Sequence, residues 1–112
     1  MKREVEYVVR LGAFDRYRHK HTATRGRITN FRLQYETMVK GIWYPVVRYD
    51  MSHGFAHRDL LNWRSECVKT PLFMSNLNDV LTFAESDLKI NWEIYKERFL
   101  EDVLPHGKGN DK

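Results

Sequence analysis

The chain of 112 residues has one cysteine, three prolines and six glycines, and no hydrophobic run long enough to span a membrane. Each shortage excludes something. One thiol, Cys67, cannot close an internal disulfide and lacks the partner spacing of a zinc ribbon, which fits a reducing cytoplasm. Cys67 reads as a small half-buried apolar residue rather than a nucleophile. There is no cationic segment followed by an apolar run, and no stretch of the roughly 18 apolar residues a membrane helix needs. A soluble, unexported, cytoplasmic protein is therefore expected. Internal repeats and low-complexity runs are also missing.

Apolar residues make up 42% and aromatics 13% of the chain, enough for one core and too few for two at this length. One domain over residues 1–105 is expected, with the apolar-poor HGKGNDK at 106–112 as a flexible tail. The net charge of +4 is modest, but its distribution is uneven. Arg16, Arg18, Lys20, Arg25, Arg27 and Arg32 cluster with His19 and His21, opposed only by Asp15, whereas the C-terminal third carries most of the acids. Such polarity suggests one face attractive to polyanions.

Alternation marks the strands. Val5, Tyr7, Val9 and Leu11 share one face of a first strand, and Phe31, Leu33 and Tyr35 one face of a second. The intervening DRYRHKHTATRGR, residues 15–27, reads as a basic loop whose first part extends strand one or begins strand two. After a turn at Lys40 and Gly41, IWYPVVRYD is a third strand, at an edge or bulged at Pro45 because proline lacks a backbone donor. Gly54 turns the chain into a fourth strand, AHRDLLNW, and a short fifth segment around Cys67–Thr70 closes the meander. The period then changes to steps of three and four through Leu77, Val80, Leu81, Ala84, Leu88, Trp92, Tyr95, Phe99 and Val103. Ser75 and Asn76 start this helix, Asp79 sits at its positive end, and Pro105 and Gly107 stop it. The fold class predicted is α+β, an antiparallel sheet of four or five strands with one long C-terminal helix across one face.

The chemistry concentrates in RYDMSHGFAHRD, residues 48–59. Strand alternation turns His57 and Asp59 one way and Arg58 the other, with Arg48 and Asp50 aligned across the hairpin. An imidazole beside a carboxylate transfers protons near neutrality, and a guanidinium stabilises charge on a phosphate. RNA cleavage through the ribose 2′-hydroxyl needs little more and no metal. The candidate catalytic residues are thus His53, His57, Arg48, Arg58, Asp50 and Asp59, with His19 or His21 as a second proton-transfer group. Arg16, Arg18, His19, Lys20, His21, Arg25 and Arg27 are the candidate nucleic-acid contacts, with Tyr17 or Phe31 stacking on a base. A second reading brings the pairs His19/His21 and His53/His57 to a divalent metal with Asp50 or Asp59, a spacing that matches no closed structural site. A third is a binding module without catalysis, and a fourth a protein-binding sheet edge near Pro45.

DRYRHKH, the strand end VVRYD, the His-bearing turn into HRD and the helix opening NLNDVL together resemble the TumE-type toxin components of prokaryotic toxin-antitoxin pairs, over residues 5–85. The resemblance implies an antitoxin partner, commonly a helix-turn-helix protein encoded nearby, and a toxic activity on RNA or translation. It departs from the family pattern in having only two histidines after RYD and a longer last helix. The expectation is a toxin-like RNA-acting protein, a ribonuclease without a metal or other cofactor, or alternatively a non-catalytic RNA-binding or accessory module. Phe83, Ile90 and Ile94 lie off the main helical stripe and suggest a homodimer or antitoxin contact, or additional core.

Overall fold

A computed structural model describes residues 1–52, 54–74 and 76–108. The fold is α+β, with six strands in one antiparallel sheet of order β1-β2-β3-β4-β5-β6. They are β1 (Lys2–Gly12), β2 (Asp15–Thr24), β3 (Arg27–Val39), β4 (Ile42–Ser52), β5 (Phe55–Leu61) and β6 (Cys67–Pro71), followed by α1 (Leu77–Lys108). Each strand pairs with its neighbours in sequence, so the sheet is a meander. Two of its turns are two-residue hairpins with both residues at positive φ, Arg25–Gly26 and Lys40–Gly41, the geometry that matches the twist of the flanking strands.

The strand count exceeds the four or five expected because residues 15–24 form β2 rather than a loop. Its inward positions are Tyr17, His19 and His21, which no hydrophobic alternation reveals, while Arg16, Arg18 and Lys20 face the other way. Pro45 does sit at a bulge: Tyr35 pairs with Val47 and Glu36 with Pro45, leaving Val46 as the extra residue in a central strand.

Asn76 caps α1, its Oδ1 accepting from the backbone N–H of Asn78 at 2.8 Å and of Asp79 at 3.3 Å. Ser75 lies outside the described residues. The helix runs on past Pro105 to Lys108, so the stop expected at Pro105 is overrun; 109–112, the rest of the expected tail, lie outside the described residues.

Val80, Ala84, Leu88 and Phe99 of α1 are fully buried against Tyr17, Leu33, Tyr35, Val47 and Tyr49 of the sheet. Carboxylates fix the register of this packing. Asp15 accepts from Tyr35 at 2.7 Å, Thr37 at 2.8 Å and Lys96 at 3.0 Å. Asp87 accepts from Tyr49 and Tyr95, each at 2.6 Å. Burying a tyrosine hydroxyl requires a partner, and these acids supply it. Phe83, Ile90 and Ile94 stay exposed, the last two at 72% and 64%, so they are not additional core.

Candidate functional site

Residues directly opposite each other in an antiparallel pair share a face. One row therefore runs Glu6, Lys20, Arg32, Asp50, His57 across β1 to β5, and a second runs Arg18, Gln34, Arg48, Asp59, Lys69 across β2 to β6. Both lie on the sheet face turned away from α1, since the intervening Tyr17, Leu33 and Tyr49 face the helix. Here Arg48, Asp50, His57 and Asp59 meet, as the alternation predicted.

His57 Nε2 is 2.8 Å from Asp50 Oδ1 and 3.6 Å from Asp59 Oδ1. Lys69 Nζ sits between, 2.9 Å from His57 Nε2 and 2.9 Å from Asp59 Oδ1. The outer carboxylate oxygens meet arginines: Arg32 Nε is 3.4 Å from Asp50 Oδ2, and Arg48 Nη1 is 4.0 Å from Asp59 Oδ2. From Arg48 the contacts continue to Gln34 at 2.9 Å, from Gln34 to Glu36 at 2.6 Å, and from Glu36 to Arg16 at 2.7 Å, whose guanidinium lies 3.8 Å over Trp43. One polar string thus crosses β2 to β6.

His57 is fully buried and Asp59 nearly so, whereas the Lys69 side chain is 43% exposed. The hydrogen bond to Asp59 holds the Lys69 ammonium above its ordinary value, so it remains a cation. His57 Nδ1 is buried with no hydrogen-bond partner among the described residues. The ligand atoms of Asp50, His57 and Asp59 lie within 4.8 Å of one another, a set that could hold a metal ion. A hollow of about 310 Å³ reaches Asp50 and is lined by Lys20, Asn30 and Arg32 together with His21, Phe31 and Met51, and a smaller one of about 180 Å³ lies between Arg18, Lys20 and Gln34.

Other residues singled out from the sequence are elsewhere. Arg58 is on the α1 face, donating to Tyr95 at 3.3 Å, because consecutive strand residues alternate. His53 lies outside the described residues. Arg16, Arg18 and Lys20 share the site's face, but His19 and His21 face α1. There His19 Nδ1 meets Glu85 Oε2 at 2.9 Å, and His19 Nε2 meets His21 Nδ1 at 2.6 Å. Burial and the neighbouring His19 lower the His21 imidazole below its ordinary value. The metal arrangement pairing His19/His21 with His57 is therefore not formed, because the two groups lie on opposite faces of the sheet. Arg25 is in the β2–β3 turn and Arg27 begins β3. Sequence reading missed Lys69, Gln34 and Glu36, single polar residues in strands whose register it had no means to set.

A family model described as "Domain of unknown function (DUF7718)" matches residues 1–104. The chain belongs to that family. The DUF7718 match takes in all six strands and most of α1, so every residue of the Asp50–His57–Asp59 group falls inside it. No curated protein and no solved structure matches the chain. Among the described residues, no helix is long and apolar enough to cross a membrane.

Proposed function

We propose that the protein is a small toxin-like cytoplasmic protein that binds RNA on the sheet face turned away from α1 and acts on a phosphodiester at the Asp50–His57–Asp59 group. The observation that carries this reading is the convergence of Lys20, Arg18, Arg32, Arg48 and Lys69 in two cross-strand rows ending at that group. Cations spaced along two rows suit a phosphate backbone, whose binding is dominated by charge neutralisation. An incoming phosphate would draw Lys69 off His57 and Asp59 and expose them to the substrate. The resemblance to TumE-type toxins adds an antitoxin partner, for which the outward Phe83, Ile90 and Ile94 offer an apolar contact.

Full burial of His57 favours a second reading, an RNA-binding module without catalysis, in which the group only braces the sheet. Two measurements separate them. Anisotropy of a labelled single-stranded RNA across a salt series should show tight, salt-sensitive binding, weakened by a combined Arg18→Ala, Lys20→Ala, Arg32→Ala change. RNA integrity and growth after expression should differ between the parent and His57→Ala if the site is catalytic. Binding indifferent to the triple change would remove the RNA reading altogether.

A further inference from the structure

A single His57 Nε2 cannot both donate to Asp50 and accept from Lys69, although it lies within bonding distance of each. If Nε2 carries a proton it donates to Asp50 Oδ1 at 2.8 Å, and the Lys69 ammonium 2.9 Å away keeps only its bond to Asp59 Oδ1. If Nε2 carries a lone pair it accepts from Lys69 but confronts an oxygen that is itself an acceptor. An imidazolium donates to Asp50 at the cost of placing two cations in contact. The ligand atoms of Asp50, His57 and Asp59 lie within 4.8 Å of one another, close enough for one cation to serve all three at once.

We infer that Asp50, His57 and Asp59 form a binding site for one divalent metal cation, seated where the Lys69 ammonium now lies. Three features support it. The inner Oδ1 atoms of both aspartates converge with Nε2, while the outer Oδ2 atoms are directed by Arg32 and Arg48, the second layer of contacts that orients metal-ligating carboxylates. The Lys69 side chain is 43% exposed while Asp59 and His57 are buried, so Lys69 can leave toward solvent without disturbing the core. One imidazole and two carboxylates, leaving open coordination positions, suit a hard or borderline ion such as Mn²⁺ or Zn²⁺ rather than a soft one. The inference rests on the RNA reading for what fills those open positions, which would be phosphate oxygens arriving past Lys20 and Arg32.

The test is titration of the full chain with Mn²⁺, followed by loss of the free-ion electron paramagnetic resonance signal. One Mn²⁺ per chain is expected. Lys69→Met, with its urea midpoint measured beside the parent's to verify folding, should tighten binding by roughly tenfold or more. Asp50→Asn should weaken it by a similar factor, and His21→Ala on the opposite face should leave it unchanged. A Lys69→Met protein that binds Mn²⁺ no better than the parent, or an Asp50→Asn protein that binds it equally well, overturns the site. RNA anisotropy in chelator-treated buffer keeps the two ideas apart: Mn²⁺ binding without RNA binding removes the RNA reading alone, and RNA binding without Mn²⁺ binding removes the metal alone.

Discussion

His19 and Glu85, 66 residues apart, meet at 2.9 Å, and the same Glu85 oxygen accepts from Tyr7 at 2.8 Å and Tyr17 at 3.0 Å. One carboxylate on α1 thereby gathers β1 and β2. Tyr7 also stacks on the His19 ring, with centroids 4.2 Å apart.

Burial acts to raise the Glu85 carboxyl, but the donors Tyr7, Tyr17 and His19 outweigh it and hold the group below its ordinary value of 4.5. A depressed acid stabilises the fold above its unfolded-state value, and that contribution is lost as pH falls through the folded value. Urea midpoints should drop as pH goes below about 4.5. Glu85→Gln should cost about 1–3 kcal/mol at neutral pH and flatten that acid limb. An unaltered acid limb in the variant would show that other carboxylates govern it.

The tyrosines set the alkaline limit. Burial, then the bond to Glu85, pushes the Tyr7 phenol up to about 12, and burial with bonds to Glu85, Asp15 and Asp87 raises Tyr17, Tyr35 and Tyr49 further. Groups raised above the unfolded value near 10 contribute stability that is lost as pH rises beyond it. Ultraviolet titration should show these phenols ionising together with unfolding. Smooth ionisation near pH 10 of a still-folded chain would contradict the network.

Arg48 and Arg58 test the two faces. Arg48→Ala should weaken RNA binding and reduce its salt dependence, whereas Arg58→Ala should leave RNA affinity intact and lower stability by about 1–3 kcal/mol through its contact with Tyr95. Anisotropy and urea unfolding read the two effects. The reverse pattern would place the RNA on the wrong side of the sheet.

Phe99, fully buried and tilted against Tyr44 with centroids 6.0 Å apart, anchors the later turns of α1. Phe99→Ala should cost about 3–5 kcal/mol in urea unfolding. A loss below about 1 kcal/mol would mean that this part of the helix is not docked.

The helix was legible because Val80, Ala84, Leu88 and Phe99 repeat at helical spacing, and Asn76 caps it as its type suggests. The Pro45 bulge was legible because proline cannot serve an unbroken central ladder. Residues 15–24 were not, since the inward face of β2 is Tyr and His, made tolerable only by a carboxylate 66 residues away. The hairpin spacing brought Asp50, His57 and Asp59 together on paper. Lys69 escaped notice because only the β5–β6 register, Asp59 opposite Lys69, brings it there.

Every strand lies beside its sequence neighbour, so ladder closure demands only short chain loops. The contact between Lys96 and Asp15, 81 positions apart, demands a long one. The sheet is therefore expected to zip from hairpin to hairpin at speed, with docking of the helix as the slow, entropically expensive event that commits the molecule to its final shape.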